Sequence, residues 1–248
     1  MLLSLQAKSK VRRESGLFVV EGVREIRHCI DCGLELHTLF VCPEILQDEF
    51  LLSLEPCISI PRALYDKVAY RGGTEGAIAE FHAMDHSLEQ LQIKGENPLV
   101  VVLESVEKPG NLGAVLRSAD AAGADAVLVC DPLTDLYNPN LIRSSIGSIF
   151  TVPVAVCTSE EAIAMLRKGS YNILTAQLQD SELYYDVDMK GPTAIVMGTE
   201  STGLSNLWRE AASAHIRIPM LGKLDSLNVS VSAAILLFEA VRQRKMLP

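Results

Sequence analysis

Ile218-Pro219-Met220-Leu221-Gly222-Lys223-Leu224-Asp225-Ser226-Leu227-Asn228-Val229-Ser230-Val231 reads as a strand end, a glycine-containing loop, and small polar residues opening an apolar helix. Pro219 has no backbone donor and biases Ile218 toward extended geometry, so the strand is expected to stop there. Gly222 permits backbone angles closed to other residues, which would let the chain turn sharply. Ser226, Asn228 and Ser230 then place hydroxyls and an amide at a helix start, where unpaired backbone N–H groups also point outward. Such a segment suits a small polar ligand.

Upstream, from residue 97, short β-rich runs at 99–103, 126–130, 152–156, 171–176, 194–197 and 215–218 alternate with helical patterns at 112–122, 139–145, 159–167, 204–212 and 227–244. Continuous Val/Ile/Leu runs separated by helices predict an α/β fold whose parallel sheet is covered on both faces. The N-terminal part repeats the theme on a smaller scale, with strands expected at 17–20, 36–41, 58–60 and 77–81 and helices at 23–32 and 61–68. The polar stretch 85–98 ends in Gly95-Glu96-Asn97-Pro98 and reads as a linker. The expected organisation is a small α/β domain over residues 1–95 and a larger one over 96–248.

The chain has 248 residues, 48% of them apolar, which is ample for a buried core. No apolar run approaches the length of a membrane span, and residues 1–13 lack the core of a secretory signal, so a soluble, cytoplasmic protein is expected. Six scattered cysteines suit a reducing compartment and free, buried thiols. Cys29 and Cys32 form a C-x-x-C, but no second pair has metal-site spacing, so no metal is expected. The five histidines do not cluster either, and read as structural. The net charge of −9 argues on its face against nucleic acid. Its distribution does not: Lys8, Lys10, Arg12 and Arg13 make the first thirteen residues locally basic, and Arg242, Arg244 and Lys245 do the same at the other end. These read either as solvated termini or as arms for RNA.

Two further clusters lie where a strand hands over to a helix, the position at which open α/β sheets bind ligands. In one, Pro109-Gly110-Asn111-Leu112-Gly113 opens a helix that carries Arg117; Asn111 reads as a cap and Arg117 as solvent-facing unless a ligand is present. In the other, Gly198-Thr199-Glu200-Ser201-Thr202-Gly203 follows a strand, and its glycines allow close backbone approach. The G-x-x-G of residues 110–113 lacks the spacing of a dinucleotide fingerprint, and neither a phosphate loop nor a G-x-S-x-G elbow occurs.

Taken in order, Asn111-x-Gly113 with Arg117, Gly198-x-Glu200-x-x-Gly203-Leu204, and the opening segment resemble the three motifs of the SpoU (TrmH) RNA 2′-O-ribose methyltransferases of the SPOUT superfamily. The resemblance covers residues 97–248, and residues 18–24 are similar to that family's substrate-binding domain of ribosomal-protein-like fold. Thr199, Ser201 and Thr202 depart from the usual Asn and Gly of the second motif. The resemblance implies a C-terminal trefoil knot, S-adenosyl-L-methionine held around Thr175, Gly198, Ile218 and Leu227, and a reacting end formed by Asn111, Arg117, Glu200, Ser226 and Asn228. It also implies a homodimer whose site draws on both subunits, and RNA as substrate, ribosomal RNA more than transfer RNA. A noncatalytic RNA-binding relative, or a binder of some other small ligand, remains an alternative.

Overall fold

The computed structural model describes residues 1–70, 75–199, 202–223 and 226–245. The N-terminal part contains helices α1 (Leu2–Ala7), α2 (Ser9–Ser15), α3 (Val23–Asp31), α4 (Glu49–Leu52) and α5 (Arg62–Val68). Its strands are β1 (Leu17–Glu21), β2 (Leu36–Val41), β3 (Cys57–Ser59) and β4 (Ala77–His82), which form a sheet in the order β1-β4-β2-β3. Strand alternation divides the side chains of β1 between two cores. Leu17 and Val19 face α1 and α5, while Phe18 and Val20 face the C-terminal part.

The C-terminal part begins with β5 (Leu99–Glu104), α6 (Pro109–Ala122), β6 (Ala126–Cys130), α7 (Pro139–Ser145), α8 (Ser148–Thr151) and β7 (Val154–Cys157). It continues through α9 (Ser159–Lys168), β8 (Asn172–Ala176), β9 (Glu182–Leu183), β10 (Thr193–Met197), α10 (Asn206–Ala211), β11 (Ala214–Arg217) and α11 (Val229–Lys245). Among the described residues these strands make one parallel sheet, ordered β7-β6-β5-β10-β8-β11-β9. Along β5, residues 99, 101 and 103 face α6 and α11, whereas 100 and 102 face α9 and α10. Burial on both faces is why the strands are near-continuous Val, Ile and Leu.

The expected elements are present with shifted ends. β7 starts at Val154, because Val152 closes the short helix α8. α6 starts at Pro109, whose fixed φ suits the first helical position, so Asn111 is its third residue and not its cap. Gly113 lies where α6 meets α7; a Cβ there would stand 2.0 Å from Ser144 Oγ and 2.8 Å from the Ser145 nitrogen.

The stretch expected as a linker is packed. Leu88, Leu91 and Ile93 rest on the α9/α10 core, and the Val156 N–H donates to the His86 carbonyl along the edge of β7. His86 Nδ1 contacts the Val154 carbonyl at 3.0 Å, which makes Nδ1 the donor and leaves Nε2 to accept from the Tyr137 hydroxyl at 2.9 Å. The Tyr137 oxygen in turn accepts from the Met84 N–H at 2.7 Å, and burial holds the His86 imidazole below its usual range. Phe18 stacks on Tyr137 at 4.2 Å, joining the two sheets through a shared core.

The structure takes Arg12, Arg242 and Arg244 out of the basic termini, while Lys8, Lys10, Arg13 and Lys245 stay exposed. Arg12 is buried, ion-paired to Asp135 at 2.5 Å, and hydrogen-bonded to the Leu5 and Gln6 carbonyls. Arg242 pairs with Glu239, and Arg244 donates to the carbonyls of Asn97, Met189 and Gly191. Composition counts these three arginines with the exposed cations, but the fold uses them in internal pairs. Of the six free cysteines, Cys32 and Cys57 are half-buried and the other four are buried. No described helix is long and apolar enough to cross a membrane.

Glu80, in mid-strand β4, is 4% exposed, and its Oε1 has no hydrogen-bond partner. Burial raises its carboxyl pKa, against smaller opposing effects of His37 and the N-terminal ammonium. The folded chain therefore holds a proton that the unfolded chain has released, and stability falls as pH rises from the ordinary carboxylate range toward the raised value. Glu80→Gln is expected to raise the melting temperature at pH 7 by about 2–4 °C, the effect of about 1 kcal/mol in a chain of this size. Thermal melts across pH check this, since the gain should vanish below roughly pH 4, where both states are protonated.

Candidate active site

The winding of the sheet reverses between its neighbours β5 and β10. From β5 the chain proceeds to β6 on one side, and from β10 to β11 on the other, so the loops leaving their C-terminal ends diverge and open a crevice. Two cavities occupy it. The larger, about 420 Å³, lies over the ends of β8, β10 and β11 and is lined in part by Gly198, Thr199, Ile218, Ser226 and Leu227. The smaller, about 300 Å³, is framed by Val106, Glu107, Lys108 and Asn111 and shares Gly198, Thr199 and Val229 with the first.

A tight turn separates the two cavities. Thr199 and Gly203 exchange backbone hydrogen bonds, 3.3 Å from the Thr199 nitrogen and 3.1 Å from the Gly203 nitrogen, and Gly203 takes a left-handed φ of 68°. The Thr199 hydroxyl accepts from the Thr202 N–H at 3.0 Å and contacts the Thr202 hydroxyl at 2.7 Å. Threonines therefore close this loop where the resemblance leads one to expect Asn and Gly. A Cβ on Gly198 would lie 2.2 Å from the Gly203 carbonyl oxygen, so only glycine fits. Gly222 is different: its φ is not left-handed and a Cβ would meet open space, which removes the conformational reason expected for glycine there.

Asn228 directly precedes α11. Its Oδ1 accepts from the Ser230 N–H at 3.0 Å and the Ser230 hydroxyl at 2.6 Å, capping the helix. The same amide donates from Nδ2 to Asn111 Oδ1 at 3.1 Å, across 117 positions of sequence. Because Pro109 begins α6, Asn111 is released from capping and can turn toward this contact.

The expected site residues divide as follows. Gly198, Ile218, Ser226 and Leu227 line the larger cavity, Asn111 lines the smaller, and Asn228, which lines neither, hydrogen-bonds Asn111 one residue before Val229, which lines both. Glu200 lies outside the described residues. Thr175 does not line either cavity; it is fully buried inside the sheet, with Oγ1 2.6 Å from His215 Nδ1. One residue further along, at the strand end, Ala176 and Gln177 reach the wall instead. Arg117 lines neither cavity within one chain. It is exposed on α6, and six helical residues carry it about 9 Å along and about 240° around the axis from Asn111.

Gln177, Arg209 and Arg217 line the larger cavity without having been singled out in the sequence. The signal for Gln177 was its place just past a strand end; Arg209 and Arg217 carried none beyond their charge. Among the described residues the lining of this cavity contains these two arginines and no carboxylate. Also among the described residues, no group of three or more His, Cys, Asp or Glu is placed to hold a metal ion.

Residues 98–238 match the SpoU rRNA Methylase family, and residues 1–79 match the MRM3-like substrate binding domain. The 23S rRNA (guanosine-2′-O-)-methyltransferase RlmB of Shewanella oneidensis is 38% identical over 190 residues, covering 74% of this chain and 77% of the relative. The 23S rRNA (uridine(2479)-2′-O)-methyltransferase of Streptomyces viridochromogenes is 30% identical over 94% of this chain and 85% of its own length. The solved structure of the SpoU methyltransferase AviRb from Streptomyces viridochromogenes in complex with the cofactor AdoMet superimposes with a TM-score of 0.90. That pair is 28% identical, and the match covers 99% of this chain and 97% of that one.

Proposed function

The chain belongs to the SpoU rRNA methylase family, and from this we propose that it transfers a methyl group from S-adenosyl-L-methionine to a ribose 2′-hydroxyl of ribosomal RNA, in the cytoplasm. The observation that carries the reading is the hydrogen bond between Asn111, which lines the smaller cavity, and Asn228, which directly precedes Val229, a residue lining both cavities. It joins the first and third motifs beside the wall that the two cavities share.

The larger cavity fits the methyl donor. Leu204, Ile218, Leu227 and Leu236 give it apolar walls for a base, and the Gly198 turn brings bare backbone to its edge. Bound there, the donor supplies an electrophilic methyl carbon, and the protein supplies orientation. Asn111 and Asn228 position the ribose entering the smaller cavity. Arg117 is a poor base because guanidinium holds its proton; it grips the phosphate beside the target and steadies the negative charge developing on the 2′-oxygen as the hydroxyl proton passes to solvent water. Residues 1–95 bind the RNA, and residues 96–248 carry the chemistry on a fold with a C-terminal trefoil knot.

The position of Arg117 supports a homodimer. α11 packs beside α6 and leaves Val231 and Phe238 about half exposed, at 47% and 48%, on one apolar stripe. A twofold mate seated on that stripe would cover it and bring Arg117 to the opposite subunit's crevice.

Incubation with tritiated methyl donor and bulk RNA, followed by nucleoside analysis, tests the assignment. Label in a 2′-O-methylated nucleoside of ribosomal RNA is expected. Transfer to transfer RNA alone would change the substrate, and RNA binding without transfer would make the chain a noncatalytic relative.

A further inference from the structure

We propose that Arg209 and Gln177 hold the amino-acid end of the methyl donor, Arg209 taking the α-carboxylate and Gln177 the α-ammonium; this rests on the reading of the larger cavity given above. Both residues line that cavity, and each has a buried polar atom without a hydrogen-bond partner, Arg209 Nε and Gln177 Oε1. Native proteins pair the great majority of such atoms, because a buried donor or acceptor left alone carries its full desolvation cost. An unpaired donor and an unpaired acceptor in one cavity call for a ligand that offers the opposite pair.

The orientation of Gln177 is set by its neighbour. Its Nε2 donates to the Gln179 carbonyl at 2.9 Å, so the oxygen is the end left for a ligand. Arg209 stands on a fixed support. The preceding residue, Trp208, is fully buried and donates from Nε1 to Ser159 Oγ at 3.0 Å, while the Ser205 N–H that leads into α10 donates to Glu104 Oε2 at 2.8 Å. With Arg217 also in the lining and no carboxylate among its described residues, the cavity favours an anionic group. The donor has one such group, its α-carboxylate, and a guanidinium is the side chain best matched to it. The base belongs against the apolar wall, and the zwitterionic tail against these two residues.

Two ligands that differ only in the tail test this by calorimetry: S-adenosylhomocysteine, which has it, and 5′-methylthioadenosine, which does not. Wild-type protein is expected to bind S-adenosylhomocysteine at least about tenfold more tightly. Arg209→Ala should weaken S-adenosylhomocysteine by about tenfold or more and leave 5′-methylthioadenosine within about twofold, which also reports that the cavity is intact. Arg209→Lys should recover part of the loss, and Gln177→Ala should lower the same preference by a smaller factor. Equal affinity of wild-type protein for the two ligands, an unchanged S-adenosylhomocysteine affinity in Arg209→Ala, or equal weakening of both ligands would overturn the assignment. If wild-type protein binds neither ligand, the methyl-donor reading itself falls.

Discussion

Arg117→Ala is expected to lower the single-turnover rate of methyl transfer by about 10²–10³-fold with little change in methyl-donor affinity or melting temperature, and Arg117→Lys to recover only a small part of the rate. Stability should hold because the side chain is exposed on α6 and lines neither cavity. Donor affinity should hold for the same reason, since within one chain Arg117 does not line the pocket that Gly198, Ile218 and Leu227 form. The rate should fall because charge developing on the ribose oxygen needs a fixed donor, and loss of one such donor typically costs about 2.7–4 kcal/mol. Lysine keeps the charge but not the planar fork that grips a phosphate in two places. Wild-type turnover by Arg117→Lys would refute the assignment. Mixing subunits decides where the residue acts. If Arg117 serves the opposite subunit, Arg117→Ala combined with Asn228→Ala regains activity in the mixed dimer, where one crevice keeps both groups; if it serves its own chain, the mixture stays inactive.

The sheet was legible from sequence because burial on both faces leaves uninterrupted apolar runs such as 99–103, which few other environments tolerate. The two-residue β9 left no such run, and the packed strap 85–98 looked like a linker because its apolar residues Leu88, Leu91 and Ile93 are spaced among polar ones. Charge was the poorest guide. Arg12 and Arg244 look alike in a composition count, yet one is sealed against Asp135 and the other is spent on carbonyl groups. Of the site, motif order made the convergence of Asn111 with the segment around Asn228 predictable, but not its form. Asn111 reads as a cap until Pro109 is seen to open the helix, and which end of the Asn228 amide faces Asn111 follows only once Ser230 claims the oxygen. Arg209 was invisible because nothing in the sequence distinguishes a guanidinium with a buried, unpartnered Nε from a solvated one.

The turn between the two cavities offers the sharpest test of the larger one. Gly198→Ala is expected to weaken methyl-donor binding by at least about 30-fold and to lower the melting temperature by several degrees, whereas Gly222→Ala should change neither. An added methyl at Gly198 would come within 2.2 Å of the Gly203 oxygen, 2.4 Å of its carbonyl carbon and 2.7 Å of the Leu204 nitrogen. All three are backbone atoms, and they cannot swing aside as a side chain would. The paired hydrogen bonds between Thr199 and Gly203 and the left-handed φ of Gly203 hold them in place. Relief requires opening the turn, which moves the edge shared by both cavities. Overpacking of this kind costs about 1–3 kcal/mol, or roughly 2–4 °C per kcal/mol in a chain of this size. The larger loss should appear in binding if the donor occupies the larger cavity as proposed, because the displaced backbone lines it. Calorimetric titration beside thermal melts separates the two effects. A Gly198→Ala protein that melts lower but binds S-adenosylmethionine with wild-type Kd would place the donor elsewhere in the molecule, and unchanged binding in Gly222→Ala guards against reading any loop substitution as specific.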